Sequence, residues 1–382
     1  MTLKRDLAAI GCPFAEKAAG DWWLCPDGVF DGSVLRRDQC LRISGGTIAE
    51  FATKAAVPAG ALVWKTPLTA TPGFFDLQVN GGGGVLLNNN PTPDSVLAIA
   101  RAHAATGTVS LLPTVITDRP DTIRRAAMAV LECKGKSGVR GIHIEGPHIS
   151  EQKRGTHRAE YIRPFDAETL DLVTLLRERG LPVLLTLAPE CVPTGTIAQL
   201  TGLGVVVSAG HSAAVGNQVD AALGEGLRMF THLFNGMSQM TQREPGVAGA
   251  ALDSDAWCGI IADGHHVHPH VLRLAFRARP LRDRMVLVSD AMPTWNGPDA
   301  FELYGATLRV RDGRLVNQEG SLAGAHIDMA SAVEYLASVG VDREEALCAA
   351  TRTPAEAIGL PDRAPALSEG MSESALVFVD VG

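Results

Sequence analysis

The chain has no run of about five to eight lysines and arginines, and its formal net charge is −8 at pH 7. That excludes a nucleic-acid surface and leaves any bound anion to a local site. It also lacks a stretch of about 18 apolar residues, which excludes a membrane-spanning helix. The opening MTLKRDLAAIGCPF has no apolar core of about 7–15 residues, as a secretory signal would. The seven cysteines, at 12, 25, 40, 133, 191, 258 and 348, form no C-x-x-C pair, so neither a zinc knuckle nor a disulfide framework is expected. A reduced, cytoplasmic protein is the reading these absences give. Aromatics are few, at 5%, and no tandem repeat or low-complexity linker is visible, which excludes a solenoid.

What remains is 46% hydrophobic and 20% charged, with 40 glycines, the composition of a turn-rich α/β enzyme. A length of 382 residues suits one (β/α)8 barrel of about 250 residues plus an accessory unit. Residues 1–70 hold short apolar segments broken by Gly and Asp, such as WWLCPDGVFDG and LRISGGTIAE, and the end, ESALVFVDVG, is one more strand. A lone edge strand is not stable, so residues 1–70 and 361–382 are expected to form a small β-sandwich domain from both chain ends. Residues 71–360 then form the barrel. Its eight strands are read at PGFFDLQVN, TVSLLPTVI, VRGIHIEG, PVLLTLAP, GVVVSAGH, LRMFTHLF, WCGIIADG and RMVLVSDA. Helical stretches follow most of them, at 93–106, 120–134, 166–180, 213–223, 268–279 and 327–339, which makes a closed parallel barrel the economical fold.

Polar residues able to bind metal or move protons sit where these strands end. Strand 3 ends at Glu145, strand 5 at His211, strand 6 at His232, strand 7 at Asp263 to His266 and strand 8 at Asp290. In a (β/α)8 barrel those ends converge on one mouth, where active sites are built. Nine of the eleven histidines lie between residues 143 and 270, a clustering that core packing does not require. A single buried histidine is more often a hydrogen-bonded core residue than a ligand, but three such residues on strands 3, 5 and 6 favour a metal. Glu145, His211 and His232 are therefore the expected ligands, in a site that leaves positions open for water and substrate. Asp290 is placed to take a proton from a metal-bound water, against the plainer role of a helix cap. His157, in the polar stretch KRGTHRAE, is a candidate for polarising a carbonyl. Arg243 is a candidate anion clamp through its forked donors, and His266 a candidate substrate contact. His143 shares the parity of Glu145 and should lie one layer deeper as a core residue.

Taken together, PGFFDLQVNGGGG, HIEGPHIS, KRGTH, LAPE, SAGHS, THLFNGMS, REPGVAGAALD, IADGHHV, LVSDA and SLAGAHIDM resemble the N-acetylglucosamine-6-phosphate deacetylases of the amidohydrolase superfamily, in order from about residue 71 to 360. The resemblance implies hydrolysis of the acetamide of N-acetyl-D-glucosamine 6-phosphate to glucosamine 6-phosphate and acetate, a step of amino-sugar catabolism or cell-wall sugar recycling. It implies metal ligation by Glu145, His211 and His232, Asp290 as general base, and His157 on the acetyl carbonyl. It further implies Asn235 and the backbone of Gly236 on the phosphate, and a homodimer in which Arg243 and His266 reach the neighbouring active site. Many amidohydrolases carry H-x-H at the end of strand 1, whereas this chain has Gln78 and Asn80. One divalent metal per subunit is therefore expected, Zn²⁺ first, with Fe²⁺, Co²⁺ and Mn²⁺ able to share such ligands. The alternatives are another N-acetylated sugar phosphate, such as the galactosamine epimer, or a cyclic amide. The segments 150–165 and 292–305 flank the expected mouth.

Overall fold

The computed structural model describes residues 5–14 and 20–382; residues 1–4 and 15–19, part of the expected 1–70 unit, lie outside the described residues. Five strands come first: β1 (Trp22–Phe30), β2 (Leu35–Arg36), β3 (Gln39–Ser44), β4 (Thr47–Thr53) and β5 (Val63–Thr71). Alternation along β1 sends Trp22 and Leu24 to one face, against Leu41, Ile43 and Ile48. The opposite face receives Trp23 and Cys25.

The β1/β3 ladder pairs Trp23 with Arg42 and Leu24 with Leu41, and the same register brings Cys25 opposite Cys40. The two are disulfide-bonded, with Cα atoms 4.5 Å apart. This corrects the expectation of wholly reduced cysteines. A separation of 15 residues carries no motif, and only antiparallel pairing makes the two neighbours. Cys133, Cys191, Cys258 and Cys348 keep free thiols. Among the described residues no helix is long and apolar enough to cross a membrane.

The barrel begins with β6 (Phe74–Val79), followed by the hairpin β7 (Gly81–Gly82) and β8 (Val85–Leu86). It continues through β9 (Thr108–Ile116), β10 (Ile142–Glu145), β11 (Val183–Leu187), β12 (Val206–Ala209), β13 (Met229–Phe230), β14 (Trp257–Ile260) and β15 (Met285–Leu287). Hydrogen bonding runs in the order β6-β9-β10-β11-β12-β13-β14-β15, eight strands in one sheet, with parallel pairing throughout. Strands β6, β10, β11 and β15 are buried along their whole length, because a parallel sheet is covered on both faces. The seam between β15 and β6 is closed by a bridge from Val79 to Ala291. Ser289 N also donates to Asp76 Oδ1 at 3.2 Å.

Helices cover the outside: α1 (Pro93–Ala104), α2 (Pro120–Glu132), α3 (Ala167–Glu178), α4 (Thr196–Gly202), α5 (Gly216–Gly224), α6 (Gly246–Asp253), α7 (Pro269–Ala278), α8 (Met329–Ser338), α9 (Arg343–Ala349) and α10 (Arg352–Ala357). Ile99, Val130, Leu176, Val219, Leu272 and Leu336 pack from them onto the strands in one apolar cluster. Several start where a capping side chain precedes the helix. Thr92 accepts from Ser95 N at 3.3 Å, Asp166 from Thr169 N at 2.7 Å, and Asp328 from Ser331 N at 2.8 Å.

After β15 comes an element not read from the sequence, an antiparallel meander of β16 (Ala300–Leu303), β17 (Ala306–Arg311) and β18 (Arg314–Val316). Its Leu303, Leu308 and Leu315 pack with Ile116 and Met292, which docks it beside the ends of β9 and β15. The last strand, β19 (Val377–Val379), pairs antiparallel with β5. The C-terminal strand thus completes the six-stranded sheet begun at the other end of the chain.

His103 of α1 makes the fold sensitive to acid. Its ring is fully buried, Nε2 donates to Gly81 O at 2.9 Å, and Nδ1 has no partner. Burial pushes its pKa from 6.5 down to about 4. The stability that rests on the neutral ring is complete above about pH 6.5 and is lost as pH falls toward 4, on the order of 3 kcal/mol. Denaturant unfolding at pH 7 and pH 4.5 should show that loss. It should be shallower in His103→Gln, whose amide can donate to the same carbonyl without gaining charge.

Candidate active site

Glu145 is the last residue of β10, while His211, His232 and Asp290 lie two to three residues beyond β12, β13 and β15. These three have φ of 47°, 33° and 51°, the left-handed region that costs a non-glycine residue about 1–2 kcal/mol. Strain of this kind persists where the surrounding structure over-determines it. Here it turns each side chain inward at the top of its strand.

The result is a tight convergence. His211 Nε2 is 3.1 Å and His232 Nε2 2.9 Å from Glu145 Oε1, and the two imidazole nitrogens are 3.1 Å apart. All three residues are buried, and their donor atoms form a group able to hold one metal ion. A carboxylate oxygen and two imidazole nitrogens aimed at one point fit a divalent metal with open positions. His211 Nδ1 donates to Lys153 O at 2.8 Å, which orients that ring in the manner of a metal ligand. Burial would raise the pKa of Glu145, but the adjoining His211 and His232 imidazoles bring it well below the carboxylate range.

Gln78 and Asn80, which stand where many amidohydrolases carry H-x-H, act as amide donors. Gln78 Nε2 lies 3.2 Å from both Glu145 oxygens and 3.1 Å from Asp290 Oδ1. Asn80 Nδ2 donates to the same Asp290 Oδ1 at 2.6 Å. Both donors therefore fall on Oδ1, and Oδ2 is left for the cavity. Burial, with the charge of Glu145 beside it, pushes the Asp290 carboxyl up to about 6.

A cavity of about 170 Å³ opens over these groups, lined also by His157, Asn235, Gly236 and His266. The His157 ring lies 4.3 Å from that of His211, centroid to centroid, with Nδ1 2.7 Å from Thr117 Oγ1. Gly236 has φ of 56°, and a Cβ there would come within 2.9 Å of His211 Nδ1, so only glycine lets this loop pass so near the ring. His143 lies one layer deeper, 2.7 Å from Thr186 Oγ1.

His266 lines the cavity of its own chain, on a turn that Asp263 folds back. Its Oδ1 accepts from the backbone N–H groups of His265 and His266, and its Oδ2 from His266 Nδ1 at 2.6 Å. Arg243 is exposed and does not line the cavity; it sits on a turn where Thr241 Oγ1 accepts from the N–H groups of Arg243 and Glu244. Sequence reasoning missed Thr117, one residue past β9, and the clamp made by Asp263. It also missed Glu190 of LAPE, which holds the turn after His211 by accepting from Ser212 Oγ at 2.7 Å. The signal available for all three was a polar residue at or just beyond a strand end.

The profile of the amidohydrolase family matches residues 69–379. The chain is 44% identical over 300 residues to an N-acetylgalactosamine-6-phosphate deacetylase of Shewanella sp., covering 77% of this chain and 75% of that protein. It is 34% identical over 318 residues to an N-acetylglucosamine-6-phosphate deacetylase of Haemophilus influenzae, covering 81% and 82%. Among solved structures, the N-acetylglucosamine-6-phosphate deacetylase of Pasteurella multocida superposes with a TM-score of 0.80 at 31% identity, covering 92% of this chain and 94% of that one.

If the three converging residues form the metal site, purified protein should carry about one divalent metal per chain. His211→Ala and Glu145→Ala should lose it while His143→Ala keeps it. Elemental analysis of the three variants checks this, and equal metal content in all of them would refute the ligand set.

Proposed function

Because the chain belongs to the amidohydrolase family, we propose that it hydrolyses the acetamide of N-acetyl-D-glucosamine 6-phosphate, giving D-glucosamine 6-phosphate and acetate. The observation that carries this reading is the convergence of Glu145, His211 and His232 beneath a cavity whose wall also holds the Asp290 carboxylate. A second reading, the galactosamine epimer as substrate, is favoured by the 44% identity to the Shewanella enzyme.

Glu145, His211 and His232 would hold one metal, Zn²⁺ in this reading. The chemistry such an ion supplies is a lowered pKa for water, to about 7, and polarisation of a carbonyl oxygen. The rest falls to the chain. Asp290, with Oδ1 held by Gln78 and Asn80, takes the proton of the attacking water at Oδ2 and returns it to the leaving amine. A carboxyl in this position can take up a proton in one step and give it back in the next. His157 donates to the acetyl oxygen, where negative charge develops. Asn235 and the Gly236 backbone hold the phosphate, and His266 contacts the sugar phosphate from the strand-7 loop. Arg243, exposed on its own chain, completes the anion site of a second copy in a homodimer. The cytoplasm is the expected location, because an ionised sugar phosphate does not cross a lipid bilayer unaided.

Acetate release from the 6-phosphates of N-acetylglucosamine and N-acetylgalactosamine, with unphosphorylated N-acetylglucosamine as control, tests the reading. Turnover of the glucosamine compound with the higher kcat/KM is expected; the reverse order would make the galactosamine epimer the substrate, and no release from any of the three would overturn both readings. Asp290→Asn should keep its metal and lose about 10²–10⁴-fold in kcat. A near-normal kcat in that variant would remove Asp290 from the mechanism.

A further inference from the structure

A phosphate entering the cavity meets the carboxylates of Glu145 and Asp290, and among the described residues no lysine or arginine lines the wall. An anion brought there without a donor to receive it would lose its hydration and gain repulsion. Four histidines line the same wall. His211 and His232 converge on Glu145, and the His157 ring lies against that of His211, so these three belong to the metal and the acetyl end. His266 remains, carried by the segment after β14.

Asp263, three residues earlier, holds the His266 ring from behind. Both side chains are 7% exposed, and Nδ1 stands 2.6 Å from Asp263 Oδ2. Chemistry fixes the direction of this bond, because an ionised carboxylate only accepts. The same carboxylate takes the backbone N–H groups of His265 and His266 on Oδ1, each at 2.8 Å. Burial would raise its pKa, but the His266 ring and those N–H groups bring it down to about 2. Nδ1 therefore carries a proton and spends it inside the protein. Nε2 has no partner among the described residues and stays accessible, in a ring that lines the cavity. A phosphate on that side lets the ring carry a proton on each nitrogen and donate both ways. The turn itself is closed from outside the barrel: Gly264 has φ of 80°, and a Cβ there would come within 3.2 Å of Tyr335 Cζ on α8.

We propose that Asp263 is a positioning residue that turns His266 so that Nε2 meets the substrate's phosphate, making the pair this chain's own determinant for a phosphorylated over an unphosphorylated sugar. The proposal rests on the hydrolytic reading above. It places phosphate recognition on the strand-7 loop, apart from the metal ligands, so that affinity for the phosphate and chemistry at the acetyl group are separable.

The test uses the metal-loaded full chain, with glucosamine 6-phosphate as the binding probe. Asp263→Ser keeps an oxygen that can accept from the N–H groups of the turn but is too short to hold His266 Nδ1. Its Kd for the probe, by calorimetry, should rise about 10–100-fold, and with N-acetylglucosamine 6-phosphate the loss should fall on KM rather than on kcat. Added to His266→Gln, the same substitution should cost no further affinity. Nitrogen-15 spectra of labelled histidine, with the His266 signals assigned by their loss in His266→Gln, should show Nδ1 protonated in the wild type and the Nε2 signal shifted by the probe. These spectra need no Asp263 variant and decide the matter should Asp263→Ser not fold. An unprotonated Nδ1, an Nε2 signal blind to the probe, an unchanged Kd in Asp263→Ser, a loss confined to kcat, or full additivity with His266→Gln would overturn the proposal. If the wild type releases no acetate the hydrolytic reading fails instead, and the Kd values and spectra still decide whether the pair binds a sugar phosphate.

Discussion

One buried ionised carboxylate, that of Glu145, governs the structure around it. Taking a charge from water into a protein interior costs several kcal/mol unless the surroundings compensate it. Here the compensation is dense: His211 and His232 on one oxygen, and the Gln78 amide across both. None of these groups is near Glu145 in sequence. They meet only because parallel strands in a closed barrel deliver their ends to one rim.

The same requirement explains why the backbone at that rim is not relaxed. His211, His232 and Asp290 all hold left-handed conformations, which a loop with more room would avoid. The next layer down is an ordinary polar core in which His143 and the hydroxyls of Thr186, Thr231 and Ser208 bond to one another. A site built on strand ends rests directly on this hydrogen-bonded layer. At the seam, Asp76 links β6 to the segment after β15. The strand that carries Gln78 and the loop that carries Asp290 are thereby tied to each other beneath the cavity.

Much of this was legible in the chain. Long buried strands such as LPTVI and VLLTL leave no other assignment in a parallel α/β chain. Helix starts were marked by Thr92, Asp166 and Asp328 in capping positions. The meander was not read, although Asp312-Gly313 sits between two short alternating runs, a strong hairpin signal. Its location after the eighth strand made a loop the simpler expectation. The partners of His157 were less accessible still, since Thr117 lies 40 residues away and is one of many threonines in strands.

By itself, then, the sequence determined the element types, their alternation and the residues at strand ends. Periodicity, burial and capping are local properties that each segment carries with it. Tertiary structure alone decided which side chains share a hydrogen bond. It paired Cys25 with Cys40 through an antiparallel register, folded His266 over its own chain's cavity and left Arg243 outside it. It also brought Tyr304 of an inserted hairpin onto the carbonyl of Thr117. Contacts of this kind depend on register, strand tilt and turn direction summed around a closed sheet, and no local stretch of chain encodes that sum.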